Sequence, residues 1–277
     1  MKKIRAAVIA VITAFFFMGM TTACVGRSES GIIVSGSTSV QPYAEILAEE
    51  YGLHHPDKEV DVIGGGSSAG IQAAEAGTAD IGMSSRTLKE SEEWLWSVEI
   101  AKDGLALIIH PDNPVANLTL EQVRAIYALE ITKWSELGAN LPDAKIHVIT
   151  REEGSGTRSA FEDLVMDNKR ITPKAIVQDS NGAIKQAVGN DKNSIGFISL
   201  GVVDANVKAL QLDGVAATWD NVVNGSYALF RPFLFVTDGE PTGLAKDFID
   251  YILSPQGQQL LISEGLIPNM SGIETSE

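Results

Sequence analysis

Three short turns rich in glycine, serine and threonine contain most of the side chains in this sequence that could do chemistry. They read GSTS at residues 36–39, GSS at 66–68 and GSGT at 154–157, each between a β-like run and a helix-like run. The first N–H groups of a helix lack intrahelical partners, so such turns can hold an oxyanion with backbone and hydroxyl donors. Serine and threonine are also the usual helix N-caps, so each turn alone permits either interpretation.

The third turn adds a formal charge, because Arg151 directly precedes it within the run ITREEGSGTRSAF. Glu152 and Glu153 follow the arginine, and they either orient Arg151, pair with Arg158, or stay solvated near the helix N-terminus, where the dipole favours acids. Three such turns in one chain, one of them beside an arginine, favour a shared anion pocket.

The turns also permit two enzymatic interpretations. A nucleotide P-loop ends in Gly-Lys-Ser/Thr, and residues 154–157 have no such lysine. Residues 66–70, GSSAG, match the G-x-S-x-G nucleophile elbow around Ser68. A hydrolase also needs a later histidine, and the candidates are His110, beside a proline, and His147, inside an apolar strand. A serine hydrolase is therefore the weaker alternative, and no catalytic residue is assigned.

Composition excludes several other classes of site. Cys24 is the only cysteine, which rules out an intrachain disulfide and a Cys-based metal site, and the pair at residues 54–55 has no acidic ligands at metal-site spacing. A formal charge of −15 without a basic stripe argues against nucleic acid. A small anion is still permitted, because it responds to local donors rather than to net charge.

The turns lie in an alternation of strand-like and helix-like runs, which is typical of an α/β fold. A helix is predicted over residues 159–166, after the third turn, and strands are predicted at 32–34, 60–63, 79–83, 104–110, 145–150, 195–198 and 227–237. Prolines interrupt the chain after His110 and β structure resumes at Tyr227, which suggests that the chain leaves one domain and later returns to it.

The N-terminus has the pattern of an export signal. A cationic start precedes an apolar run over residues 6–20, which is short for a membrane span. Thr21-Thr22-Ala23-Cys24 follows and resembles the lipobox of bacterial lipoproteins, although Thr21 stands where leucine is usual. This resemblance implies a signal peptide over residues 1–23, lipid on Cys24 and a tether over 24–30. Without lipidation the protein would be secreted or periplasmic.

Four motifs together resemble the phosphate-binding component of phosphate-uptake ABC transporters. They are SGSTSVQP from residue 35, GGGSSAGI from 64, ADIGMSSR from 79 and REEGSGTRSAF from 151. The resemblance extends over about residues 31–268 and is close throughout residues 100–138. It implies a two-lobed periplasmic-binding-protein fold (type II, Venus-flytrap), in which helices flank mixed sheets and two strands cross between the lobes. The implied divisions are lobe I at 31–108 and 228–270, lobe II at 109–227, and a tail at 271–277.

The family's activity is capture without chemistry. The resemblance implies a monomer, lipid-anchored to the outer face of the cell membrane, that binds inorganic phosphate between its lobes. The closed form would deliver the phosphate to a membrane permease driven by an ATPase, and neither a cofactor nor a metal would take part. Another tetrahedral oxyanion, sulfate or molybdate, is the alternative ligand.

Motif by motif, the resemblance also implies the site. Some family members have an aspartate at the position of Ser85, where it accepts a hydrogen bond from protonated phosphate. A serine can accept that bond but does not repel ionised sulfate, so discrimination must rest elsewhere or be weaker. Arg86 either adds charge to the pocket or pairs with an acid. The implied anion-binding residues are Ser37, Thr38, Ser39, Ser67, Ser85, Arg86, Arg151, Ser155, Gly156 and Thr157.

Overall fold

The computed structural model describes residues 31–269. The expectations for the signal peptide, Cys24, the tether and the C-terminal tail therefore lie outside the described residues. Between residues 31 and 269, no helix combines the length and the apolar character that crossing a membrane requires.

Strands and helices alternate along the described chain, in agreement with the predicted α/β class. The strands are β1 (Gly31–Gly36), β2 (Glu59–Gly64), β3 (Ile81–Ser84), β4 (Trp96–Ile109), β5 (Asn117–Leu118), β6 (His147–Arg151), β7 (Ile176–Gln178), β8 (Ser194–Ser199), β9 (Lys208–Ala209), β10 (Gln211–Leu212), β11 (Phe230–Thr237) and β12 (Ile267–Pro268). The helices are α1 (Gln41–His54), α2 (Ser67–Glu75), α3 (Leu120–Tyr127), α4 (Gly156–Phe161), α5 (Asn181–Gly189), α6 (Trp219–Val223), α7 (Gly243–Leu253) and α8 (Pro255–Ser263).

A mixed ten-stranded sheet runs through the described part of the molecule in the order β2-β1-β3-β11-β4-β8-β6-β7, with β9 and β12 added on β4. Strand β1 is parallel to β2 and β3, and β6 is parallel to β7 and β8. The long strands β4 and β11 are antiparallel to each other and join the two parallel groups.

Two large hydrophobic cores lie along this sheet and define two lobes. The core of lobe I contains Tyr43 and Phe248, whereas the core of lobe II contains Trp134 and a stacked pair, Phe161 and Phe197, with ring centroids 4.2 Å apart. Strand β4 contributes to both cores, and the core changes along it between residues 101 and 105. Strand β11 contributes to the core of lobe I, whereas Leu229, directly before it, belongs to the core of lobe II. The chain thus crosses between the lobes at both strands, while the predicted lobe limits remain predictions.

Local signals explain where the helices begin. A capping box begins α3, because Gln122 N donates to Thr119 Oγ1 at 3.1 Å and Thr119 N donates to Gln122 Oε1 at 2.9 Å. Helix α4 begins earlier than predicted because Ser155 caps it, accepting from Arg158 N at 3.3 Å. After residue 161 the chain continues as a π-helical turn, Glu162–Met166, which ends at Asp167 in the left-handed conformation (φ 46°).

The topology brings the glycine-rich turns together. Parallel strands end at a common edge, so the turns after β1, β2 and β3 form one wall in lobe I. The turn after β6 and the start of α5 after β7 form the opposite wall in lobe II. Ligands of open α/β sheets bind outside the carboxyl ends of the strands, which is where these two walls meet.

Candidate anion-binding site

The lobe I wall is a cluster of buried serine hydroxyls. Ser37 Oγ accepts from Ser39 N at 3.2 Å and donates to Ser85 Oγ at 2.8 Å. Ser67 Oγ accepts from Ser85 N at 3.0 Å and lies 3.3 Å from Ser85 Oγ. Each of these serines is at most 2% exposed. The hydroxyls are therefore held by backbone N–H groups just before α1 and just after β3, and they are uncharged donors or acceptors.

Glycine is required where this cluster meets lobe II. A Cβ on Gly156 would lie 2.3 Å from Ser67 Oγ and 2.6 Å from Ser85 Oγ. The first turn of α4 therefore packs directly on the serine cluster, and the N–H groups at this helix start have no intrahelical partners. Because Ser155 and Thr157 are also buried, the start of α4 forms the centre of the lobe II wall.

Arg151, the last residue of β6, is the charged group of the lobe II wall and is 1% exposed. Its Nε and Nη2 donate to the two oxygens of Glu152 at 2.8 Å each, so Glu152 orients the guanidinium. Nη2 also donates to Thr38 Oγ1 at 3.0 Å, and Nη1 lies 3.5 Å from Thr157 Oγ1. Arg158 pairs instead with Glu162 at 3.0 Å. Of the interpretations for Glu152, the structure supports the orienting role.

Direct contacts between the walls make this a closed arrangement. Besides the Arg151 bond to Thr38, Ser39 Oγ lies 2.8 Å from Thr157 Oγ1. Ser68 N donates to Gly154 O at 3.0 Å, so one N–H at the start of α2 is used between the lobes. The predicted residues of all four motifs are thus brought together, with one exception in orientation.

The exception is Arg86, which is 3% exposed but bound to an acid of its own lobe. Its Nη1 and Nη2 donate to Glu92 at 2.7 and 2.9 Å, and Nη2 also reaches Ser68 Oγ at 3.3 Å. Burial alone would raise the pKa of Glu92, but the hydrogen bonds from Arg86 and from the backbone of Lys89, together with the charge of Arg86, outweigh it and lower that pKa. A contact between Arg86 and an anion remains a prediction, because its Nη1 and Nη2 donate to Thr87, Glu92 and Ser68, while its buried Nε has no hydrogen-bond partner among the described residues.

A buried ion pair between the crossover strands lies beneath the site, and the sequence interpretation missed it. Arg231 donates to Asp103 Oδ2 through Nη2 at 2.9 Å and Nε at 3.2 Å, while Ser199 Oγ donates to Asp103 Oδ1 at 2.7 Å. Burial raises the pKa of Asp103 and lowers that of Arg231, while their mutual attraction opposes both changes. Arg231 Nη2 also donates to Ser39 Oγ at 3.1 Å, which links the pair to the lobe I wall.

Asn181, the first residue of α5, is a second group that the motifs did not identify. It is 4% exposed and its Nδ2 donates to Ser39 Oγ at 2.9 Å, from the opposite lobe. The run Ser180-Asn181-Gly182 between a strand and a helix was a local signal of another such turn. Arg231 carried a different signal, namely a charged residue within an otherwise apolar strand, whereas Asp103 lies among other charged residues of β4.

The arrangement does not match the hydrolase interpretation. Ser68 Oγ accepts from Arg86, while His147 Nδ1 lies 2.6 Å from Asp191 Oδ2 on lobe II. His110 Nδ1 accepts from Asp112 N. Among residues 31–269, no histidine is recorded within hydrogen-bond distance of Ser68, and no group of three or more His, Cys, Asp or Glu could hold a metal ion.

Comparison with a protein-family model matches residues 22–256 to the PBP superfamily domain. The phosphate-binding protein PstS of Bacillus subtilis (strain 168) is 31% identical over 248 residues, covering 87% of this chain and 82% of that protein. Phosphate-binding protein PstS 2 of Streptococcus pneumoniae serotype 4 is 42% identical over 132 residues, covering 44% of this chain and 45% of that protein.

Solved structures agree with these relatives. A Clostridium perfringens crystal structure, described as a phosphate ABC transporter substrate-binding protein with bound phosphate, is 46% identical with a TM-score of 0.83. It covers 86% of this chain and 99% of its own. An ABC-type phosphate transport receptor from Vibrio cholerae is 42% identical with a TM-score of 0.72, covering 86% of this chain and 100% of its own. This chain therefore belongs to the PstS family of phosphate-binding proteins, within the PBP superfamily.

Proposed function

We propose that this protein captures inorganic phosphate between its two lobes and delivers it to an ABC permease for uptake. The observation that carries the proposal is the convergence of buried hydroxyls from both lobes on Arg151 and the start of α4. Similarity to a phosphate-bound Clostridium perfringens structure, at 46% identity, supports phosphate as the ligand.

The donors of the site suit reversible capture. Arg151 is paired with Glu152, so the charge that it offers an anion is partly compensated. The remaining donors are hydroxyls and N–H groups at helix starts, which stabilise an oxyanion through many directed bonds rather than through excess charge. A ligand held in this way binds specifically and can still be released when the lobes separate.

Anion binding is coupled to lobe closure, because residues predicted to bind the anion also form hydrogen bonds between the two walls. Thr38 and Thr157 lie on opposite walls and bond across the cleft, to Arg151 and Ser39 respectively. An anion bonded to both walls stabilises the closed form over the open form in proportion to its extra contacts. The closed form is the state that would dock on the permease, and an ATPase would drive transfer.

The protein acts as a binding protein and not as an enzyme in this proposal. Ser68 at the G-x-S-x-G match is bonded by Arg86 rather than by a histidine. The Ser68→Ala variant should therefore leave phosphate binding in place. Hydrolysis of a chromogenic ester or phosphate monoester by the wild-type protein, abolished in Ser68→Ala, would contradict a purely binding role.

The proposal includes a lipid anchor at the membrane and a monomeric state. Cys24 is the expected lipidation site, which would hold a monomer at the outer face of the membrane. Cells producing the Cys24→Ser variant should release the protein and fail to label it with a tagged fatty acid. Light scattering of the soluble domain should give the mass of one chain. The lobe limits are proposed to lie near those predicted from the sequence.

Calorimetric titration of the soluble domain with phosphate, sulfate and molybdate, each at about pH 7, tests the function. The expected result is one phosphate per chain, bound more tightly than the other two anions. Tighter binding of molybdate or sulfate would make the protein a carrier of that oxyanion. No heat with any of the three would overturn oxyanion capture altogether.

A further inference from the structure

Asn181 occupies an unusual position at the junction of the two walls. Ser180 caps its helix, accepting from Ala183 N at 3.1 Å, so the side chain of Asn181 is not needed as the cap. Its Nδ2 instead crosses the cleft and donates to Ser39 Oγ at 2.9 Å. The residue is therefore part of the site rather than of the helix end.

The carbonyl oxygen of the same amide is unpaired within residues 31–269. Asn181 Oδ1 is buried and forms no hydrogen bond with any residue that the structure describes. A buried acceptor left unpaired loses its bond to water without replacement, so it indicates a ligand contact where a ligand site adjoins it. The amide lies beside Ser39, which contacts Thr157, a residue of the predicted anion site.

The bonds at Ser39 determine which groups donate. Ser39 Oγ receives hydrogen bonds from Asn181 Nδ2 and from Arg231 Nη2, so its own proton is directed to Thr157 Oγ1. Thr157 Oγ1 then accepts from Ser39, and its own proton is left for an anion. The chain of hydroxyls thus presents donors to the site, whereas Asn181 Oδ1 presents an acceptor.

The nearby donors are also incompletely paired. Arg231 Nη1 is buried without a hydrogen-bond partner among the described residues, on the guanidinium that contacts Ser39. A ligand that satisfies both unpaired groups must have oxygens that accept and at least one hydrogen that donates. Hydrogen phosphate has both, whereas fully ionised sulfate has no hydrogen and would leave Oδ1 unpaired.

We propose that Asn181 Oδ1 selects protonated tetrahedral oxyanions over fully ionised ones by accepting their hydrogen. The inference rests on the proposed function, because it names the group that makes the site prefer phosphate. Ser85 is less suited to this task, since its Oγ already accepts a hydrogen bond from Ser37 Oγ and lies 3.3 Å from Ser67 Oγ.

Two substitutions of Asn181 distinguish a role as hydrogen-bond acceptor for the anion from a role in positioning other residues. Asn181→Ala removes the acceptor, and Asn181→Asp retains an acceptor and adds a negative charge. Each variant is titrated calorimetrically with phosphate and arsenate, which are protonated, and with sulfate and selenate, which are not. Ser180→Ala is the matched control, because it removes the cap of the same helix and leaves Asn181 in place.

The acceptor role predicts a change of selectivity. Asn181→Ala should weaken phosphate and arsenate about ten- to a hundredfold, as loss of a hydrogen bond to a charged ligand does, while sulfate and selenate change less than about threefold. Asn181→Asp should keep the preference for the protonated anions and weaken sulfate further, because a carboxylate repels it. Ser180→Ala should lower thermal stability and leave the ratio of phosphate to sulfate affinity unchanged.

Equal losses for all four anions in Asn181→Ala would overturn the inference and make Asn181 a positioning residue or, with its amide reversed, a donor. In Asn181→Ala, any result that leaves the ratio of phosphate to sulfate affinity unchanged has the same meaning. If neither variant folds, the wild-type protein still decides, because equal affinity for phosphate and sulfate excludes a selective acceptor. That last result leaves oxyanion capture intact, whereas binding of no anion would refute the proposed function itself.

Discussion

The two walls of the cleft each contain a buried arginine paired with a glutamate, yet only one arginine is directed into the site. Glu152 binds the Nε–Nη2 edge of Arg151 on lobe II, while Nη2 also donates to Thr38 across the cleft and Nη1 is directed to Thr157. Arg86 on lobe I donates to Glu92 and to the backbone of Thr87. The lobe I wall therefore offers the ligand hydroxyls, and the lobe II wall offers a charge.

The affinity of a wall for an anion depends on the direction of its hydrogen-bond donors rather than on the net charge of the wall. Both arginines are buried and each is paired with a partly buried glutamate, so that each pair is nearly neutral, while the whole chain carries −15. An anion responds to the groups within hydrogen-bond distance, because solvent screens the remaining surface charge over about 8–10 Å.

Removal of each arginine should produce the largest difference between the two walls. Arg151→Ala should weaken phosphate binding by about 100-fold or more, because it removes charged donors and leaves the partly buried Glu152 carboxylate without its partner. Arg86→Ala should weaken binding less than about tenfold while lowering the thermal midpoint, because its bonds are structural. Calorimetry with phosphate and a melting curve measure both. Equal losses of affinity would mean that Arg86 contacts the anion and that the walls are alike.

A methyl group placed between the walls should destabilise the closed form relative to the open form. In Gly156→Ala the added Cβ would lie 2.3 Å from Ser67 Oγ, a contact that exists only while the lobes are together. We expect phosphate affinity to fall about ten- to a hundredfold, as for overpacking of about 1–3 kcal/mol, with the melting temperature of the free protein unchanged. Small-angle scattering should then show no compaction when phosphate is added.

The matched control is a methyl group within one wall. In Gly70→Ala the Cβ would lie 2.4 Å from Ser35 O and 2.5 Å from Gly36 Cα, both in the same lobe. This variant should lose about 1–3 kcal/mol of folding free energy, because backbone atoms cannot move aside easily. A normal melting temperature in Gly70→Ala, or a lowered one in Gly156→Ala, would contradict the distinction between wall and interface.

Acid should affect the structural arginine pair through Glu92. The pKa of Glu92 is lowered in the folded protein, so its contribution to stability is present above the unfolded value of about 4.3 and is lost as pH falls through the lower folded value. Denaturant unfolding at several pH values should therefore show a shallower acid-induced loss in Glu92→Gln than in the wild type. Parallel pH curves for the two proteins would exclude this contribution.

Local patterns predicted the parts of the site that are local in the chain. The turns at 36–39, 66–68 and 154–157 were visible because each combines strand, small polar residues and helix within about ten residues. The first half of β4, WSVEIAKD, was missed because charged residues interrupt its hydrophobic pattern. Its pairing with β11, more than 120 residues later, overrides that local signal.

Long-range pairing also explains the residues that were missed. Arg231 and Asp103 are 128 residues apart, and Asn181 and Ser39 are 142 apart. No spacing rule connects positions so distant, whereas burial and hydrogen bonds in the folded chain do. The direction of Arg86 was likewise undecided in the sequence, since its bond to Glu92 and an anion contact use the same side chain.

A crystal structure of the protein grown with phosphate tests the central claim most directly. The account predicts one tetrahedral anion enclosed between the walls, bonded to Arg151, to the start of α4 and to the lobe I hydroxyls, with Asn181 Oδ1 within hydrogen-bond distance. Arg86 should remain on Glu92. An anion bound to Arg86, or to the surface outside a cleft that stays closed by direct contact of its walls, would contradict the account.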